Sequence, residues 1–152
     1  MTSFPECIKD KRNLYYLTGP QSKDGYFSIE FRIPTVPAVT ASTGSWSDVS
    51  VVIVTYNSAA VIEPCLRSVH LAKQVIVVDN ASDDNTLARA QVALPSVEII
   101  ANSVNMGFGT ANNIGFEASR TLFTLLLNPD TVVPTGALEH LLATAKAYPD
   151  AA

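Results

Sequence analysis

Hydrophobic positions along this chain follow two rhythms, and the change between them divides it. In residues 27–33, Phe27, Ile29, Phe31 and Ile33 alternate with Ser28, Glu30 and Arg32, the period-two pattern of a strand with one buried face. A shorter strand around Leu14 to Leu17 is placed to pair with it across a loop containing Gly19-Pro20 and Asp24-Gly25. The stretch from Pro34-Thr35-Val36-Pro37 to Thr43-Gly44-Ser45 is rich in Pro, Ser, Thr and small residues and reads as a linker. Residues 1–47 are therefore expected to form a small β-hairpin extension and linker, with a domain boundary near Ser47.

From Asp48 onward, unbroken apolar runs alternate with helical patterns. The runs are Val49 to Thr55, Val75 to Val78, Val97 to Ile100 and Leu122 to Leu127. Between the first two, Val61, Ile62, Cys65, Leu66 and Val69 form one apolar stripe on a helix expected from about Ser58 to Leu71. Pro64 removes one helical hydrogen bond, which favours a late start or a bend. A short helix with Leu87 and Ala90, capped by Asp83 and Asp84 and closed by Pro95, follows the second run. A third helix is expected near Thr110 to Ser119, and a last one after Pro134 carrying Leu138, Leu141, Leu142 and Ala145. This alternation predicts an α/β fold, a parallel sheet with helices on both faces.

Composition agrees with one main globular domain: 47% of the 152 residues are hydrophobic and 16% charged. The net charge of −4 is concentrated after Asp48, so a nonspecific nucleic-acid or anionic-membrane surface is not expected. Cys7 and Cys65 have no metal-ligand spacing, and Cys65 on an apolar helix face reads as a reduced core thiol, which fits the cytosol. The start lacks the signature of an export signal, and no apolar stretch is long enough for a transmembrane segment.

Three strand ends carry the candidate chemistry: Thr55-Tyr56-Asn57, Asp79-Asn80 and Asn128-Pro129-Asp130. In a parallel sheet all three reach the carboxyl edge, where open α/β folds bind ligands. An ionised Asp79 only accepts hydrogen bonds and suits the imide N–H of a uracil or thymine ring. Equally, Asp79, Asn80, Ser82, Asp83 and Asp84 are what a strand-to-helix turn is made of. Asp130 suits a hard cation such as Mg2+ or Mn2+, which takes one or two carboxylates and leaves other positions to phosphate and water; a plain turn explains Asn128-Pro129-Asp130 about as well. The glycines of Asn105-Met106-Gly107-Phe108-Gly109 allow close backbone approach, yet Asn112 at the third position fails the dinucleotide fingerprint. Asn112 and Asn113 are either caps or polar ligand contacts. His70, His140 and Trp46 are read as structural.

Taken together, these segments resemble the nucleotide-binding half of family 2 glycosyltransferases of the GT-A fold, with a Rossmann-like parallel sheet. Val51 to Asn57 is similar to that family's first strand and its Tyr-Asn turn beside the nucleotide. Val77 to Asp84 is similar to its second-strand signature, which implies that Asp79, with Asn80 and Ser82 beside it, holds the base. Asn105 and Gly107, then Asn113 and Gly115, resemble the paired N-x-G elements near the sugar donor. Asn128-Pro129-Asp130 stands at the D-x-D metal motif, with Asn128 in place of the first aspartate, as in the rhamnosyltransferase-like branch. Asn112 stands where many relatives carry Arg.

The resemblance implies an inverting, metal-dependent transferase that moves a sugar from a UDP or dTDP donor, dTDP-rhamnose among them, to a glycan or lipid-linked acceptor. It further implies a cytoplasmic site of action or peripheral association with the inner face of the membrane. It covers roughly Asp48 to Ala152, whereas such domains run on for about another hundred residues, so a truncated chain without its general base is expected. A noncatalytic nucleotide-binding or assembly module, with the 14–33 hairpin docking a partner, is the competing reading. A nucleotidyltransferase would want glycine and charge in the loop Thr55-Tyr56-Asn57-Ser58-Ala59, which has neither.

Overall fold

The computed structural model describes residues 45–148 and the backbone of Leu14–Tyr16. One sheet is formed by β1 (Leu14–Tyr16), β2 (Val49–Thr55), β3 (Gln74–Asp79), β4 (Glu98–Ala101) and β5 (Phe123–Leu127). The strand order is β1-β5-β2-β3-β4 and every pairing is parallel. The helices are α1 (Ile62–Ser68), α2 (Thr86–Ala93), α3 (Phe108–Ala118) and α4 (Ala137–Ala147). Each strand expected after Asp48 is present within one residue of its predicted ends.

β2 is buried along its whole length, because it is central and covered on both faces. Val49, Val51 and Ile53 pack with Ile62, Leu66, Ala90, Leu138 and Leu142, so α1, α2 and α4 share one face. Val52 and Val54 pack with Ala111, Ile114 and Ala118 of α3 on the other. The division follows from handedness. From β2 the chain steps outward to β3 and β4, then returns over the sheet to β5 on the far side of β2, and right-handed crossovers in opposite directions need opposite faces. Strand order thus reverses between β2 and β5, and such a reversal opens a crevice at the carboxyl ends.

The amino ends of the strands are locked by a buried amide. Gln74 accepts from Ser50 Oγ (2.8 Å) and the Arg120 backbone N–H (3.0 Å), and donates to Glu98 (3.1 Å) and the Ala118 carbonyl (3.2 Å). All four hydrogen-bonding positions of the side chain are used. Far from this edge, the same register sets which residues stand side by side at the carboxyl ends.

One expectation changes. The first helix is shorter than residues 58–71, because Pro64 sits in its first turn, where the missing N–H is tolerated, and Ile62 opens the regular helix. Leu14–Tyr16, expected to start a hairpin, lies parallel beside β5, with Leu14 opposite Thr124 and Tyr16 opposite Leu126; the hairpin's other arm, Phe27 to Ile33, lies outside the described residues, as does Cys7. Trp46 packs half-buried against the core from a single 3-10 turn.

Gly115 sets how closely α3 approaches the sheet, since a Cβ there would stand 2.3 Å from Val52 Cγ1 and 3.0 Å from Val78 Cγ2. Gly115→Ala is expected to lower stability by about 1–3 kcal/mol through overpacking. A reduced urea midpoint with an unchanged slope is the signature, and a midpoint at or above that of the parent chain contradicts the close packing.

Candidate functional site

At the carboxyl edge the register places Thr55 opposite Asp79, and Asp79 opposite Ala101. The Asp79 carboxylate is 1% exposed. Burial demands donors, and three are supplied: Thr55 Oγ1 (2.7 Å), Ser82 Oγ (2.5 Å) and the Ser82 backbone N–H (2.8 Å). The side chain expected to face a pyrimidine thus takes two donors on Oδ1, from Thr55 and Ser82, and one on Oδ2, from the Ser82 N–H.

That turn is knitted to the one after β2. Ser82 Oγ accepts from the Asn57 N–H (2.9 Å) and Asn57 Oδ1 accepts from the Asp83 N–H (3.0 Å). Further along, Thr86 Oγ1 accepts from the Ser58 N–H (2.7 Å) and Asp84 accepts from the Ala59 N–H (3.0 Å). The stitching needs left-handed backbone at Asn57 (φ 50°) and Ala81 (φ 62°). Asn visits that region readily, whereas Ala accepts a cost of roughly 1 kcal/mol. Tyr56, between these tied residues, is 56% exposed and forms the open rim of the edge.

Asn80 is also turned inward. Its Oδ1 accepts from Asn102 Nδ2 (3.0 Å) and its Nδ2 donates to the Gly107 carbonyl (3.3 Å), which ties β3 to the loop before α3. In that exposed loop Asn105 Oδ1 accepts from the Gly107 N–H (2.9 Å), a local turn made possible by the positive φ of Gly107 (83°). Asn113 is exposed on α3, while Asn112 is buried and donates to the Phe108 carbonyl (3.0 Å) one turn back in its own helix.

On the other side of β2, Leu127 stands opposite Ile53, so Asn128 to Asp130 flank the end of the central strand. The Thr131 N–H donates to the Asn128 carbonyl (3.1 Å) and closes a turn around Asp130. Asp130 Oδ1 is buried and has no hydrogen-bond partner in the protein. Its charge reaches Cys65 on α1, whose thiol is pushed up to about 12, by burial first and by Asp130 second. Cys65 is thus the neutral core thiol foreseen. The apolar groove lined by Val49, Phe123, Leu138 and Leu142 lies at the opposite end of the strands and takes no part.

Residues 50–152 match the family described as Glycosyl transferase family 2. The chain belongs to that family. The succinoglycan biosynthesis protein ExoO of Rhizobium meliloti is 35% identical over 105 residues, covering 66% of this chain and 30% of that protein. The N-acetylglucosaminyl-diphospho-decaprenol L-rhamnosyltransferase of Mycobacterium tuberculosis is 30% identical over 116 residues, covering 66% of this chain and 38% of that enzyme. The chain thus spans about a third of the length of these relatives. In fold it is similar to the glucosyl-3-phosphoglycerate synthase of Mycobacterium tuberculosis in complex with Mg2+ and UDP (TM-score 0.55, 22% identity, 66% of this chain and 39% of that one).

In this glycosyltransferase domain Thr55, Asn57, Asp79 and Ser82 form one hydrogen-bonded unit, Asn80 and Asn105 both bond the Gly107 backbone, and Asn128 and Asp130 share a third turn across β2. Ser58, Asp84, Thr86 and Asn102 complete the set through bonds to Thr86, Ala59, Ser58 and Asn80, 22 to 28 positions away and so not legible in the sequence. Among the described residues no three His, Cys, Asp or Glu gather around a common point, so a cation would have to rely on at most two such side chains and on non-protein ligands. The orphaned oxygen of Asp130 fits that role, because a hard cation relieves a buried unpaired carboxylate oxygen.

Asp84 is held below the usual carboxylate range, chiefly by the Thr86 hydroxyl and also by the Ala59 and Thr86 backbone N–H groups. A lowered folded-state pKa contributes stability that is present above the ordinary Asp value of about 3.9 and is lost as pH falls through the lowered one. Asp84→Asn is therefore expected to flatten the acid limb of the stability curve followed by thermal unfolding. An unchanged limb would show that the Asp84 bonds are not kept in solution.

Proposed function

We propose that residues 48–152 form the donor side of a glycosyltransferase acting on a nucleoside diphosphate sugar. The observation that carries this is the partnerless buried oxygen of Asp130 beside β2, at the reversal of strand order in a chain of glycosyl transferase family 2. Asp130 would hold Mg2+ or Mn2+ together with the diphosphate, with Asn128 offering a neutral acceptor nearby. When bound, the cation neutralises charge on the departing diphosphate.

The protein's own contribution is shape. Asp79, through Thr55 and Ser82, fixes the wall formed by Tyr56 and Asn57, against which a pyrimidine base would lie. Asp79 Oδ2 accepts from the Ser82 N–H alone, which leaves it one acceptor site for an imide N–H. Asn80, Asn105 and Gly107 hold the loop on the sugar side, and Asn113 lies further along α3. Support for a UDP or dTDP donor comes from the UDP complex of the fold neighbour and from the rhamnosyltransferase relative. That relative's name includes a diphospho-decaprenol acceptor, which favours a lipid-linked or glycan acceptor here and work at the inner face of the membrane. No helix among the described residues is long and apolar enough to cross one. Inverting transfer needs a base within hydrogen-bonding reach of the acceptor hydroxyl, and we assign that role to no described residue.

Isothermal titration of the chain with UDP and dTDP, with and without Mn2+, tests the reading. Binding is expected to strengthen with Mn2+, and Asp130→Ala should remove that gain, a loss of at least about tenfold. Nucleotide affinity indifferent to the metal in the parent chain would instead favour a noncatalytic module.

A further inference from the structure

We propose that Ser68, seconded by Cys65, is a positioning residue for Asp130: α1 clamps the turn that carries this carboxylate and so sets the affinity of the site for a divalent cation. The proposal rests on the donor-site reading above.

Asp130 Oδ1 is held by no protein donor. The carboxylate is therefore placed by its backbone, and that backbone is fastened to α1 on both sides of it. Upstream, the Cys65 thiol donates at 3.5 Å to the Asn128 carbonyl, the same oxygen that accepts from the Thr131 N–H at 3.1 Å. Downstream, the Val133 N–H donates to Ser68 Oγ at 3.0 Å, while the Ser68 hydroxyl donates to the Cys65 carbonyl at 2.7 Å.

Residues 65 and 68 are three apart and so share one face of the helix. The Ser68 hydroxyl acts as donor and acceptor at once, which fixes its orientation, and Val133 is buried where it meets it. Sulfur is a weak hydrogen-bonding group, so Ser68 supplies the stronger of the two fastenings. Partners that orient a ligating side chain commonly govern metal affinity nearly as much as the ligand itself. Here the partner bonds the main chain three residues from Asp130, and the clamp acts through the turn between them.

The experiment compares residues 1–152 with Ser68→Ala, Ser68→Thr and Asp130→Ala by electron paramagnetic resonance titration of Mn2+ in the presence of UDP. Hydrogen exchange at the Val133 amide is followed in the metal-free proteins. Ser68→Ala is expected to weaken Mn2+ binding about tenfold, to speed exchange at Val133 and to leave metal-free UDP affinity unchanged. Ser68→Thr, which keeps the hydroxyl, should restore both. Parental Mn2+ affinity in Ser68→Ala, an equal loss of metal-free UDP affinity, or failure of Ser68→Thr to restore binding would each overturn the proposal.

If Ser68→Ala does not fold, Ser68→Cys decides, since it keeps the volume with a much weaker acceptor: reduced Mn2+ affinity supports the clamp and parental affinity refutes it. Asp130→Ala separates this from the underlying reading. Unchanged Mn2+ binding in Asp130→Ala removes the donor site and the clamp with it, whereas loss there with none in Ser68→Ala removes the clamp alone.

Discussion

A carboxylate shut away from water must find its donors within the protein, and the way Asp79 does so governs the whole ligand edge. Thr55 reaches it across the β2–β3 pairing, and Ser82 reaches it twice from the next turn. Once those bonds form, Ser82 has an acceptor to offer Asn57, and the two loops become one body. Tyr56 is left standing outward because its neighbours on either side are tied down. The register behind this is set at the other end of the sheet, where Gln74 joins the starts of three strands.

Much of this architecture was legible in the sequence because it is written in local periodicity. Runs such as Val51-Val52-Ile53-Val54 have no polar face, which only a strand covered on both sides tolerates. The positions of Asp79 and Asp130 at strand ends followed from that alone. Their environments did not. Nothing in the order of residues says that Asp79 is enclosed by Thr55, 24 positions away, or that Asn80 faces Asn102 instead of the edge. Asp130 was legible as a possible ligand, yet its lack of a protein donor is a property of packing. Pro64 announced a late helix start, and the structure follows. Leu14–Tyr16 carried too short a pattern to reveal its partner, and it joined the strand it could lengthen the sheet beside.

The two halves of the edge are built on different principles. Around Asp79 both carboxylate oxygens have donors, and left-handed backbone at Asn57 and Ala81 is held in place by the bonds on either side. Around Asp130 the backbone is fastened and the side chain is not. A rigid wall opposite an unsatisfied carboxylate suits a ligand with a flat, neutral end and a highly charged one. The nucleotide-sugar donor proposed above would bring such a pair of ends, a base and a diphosphate.

The pairing of β1 with β5 has a consequence for assembly. With Leu14–Tyr16 alongside, β5 is no longer a margin of the sheet, and the strand leading to Asp130 is enclosed on its left and right alike. Unpaired main-chain groups in the described part remain along the outer flanks of β4 and of the three-residue β1. Any strand contributed by another polypeptide, or by a distant stretch of the same one, would have to add at those flanks. Growth of the sheet would then proceed outward while the centre, with its carboxyl-end turns, keeps its neighbours.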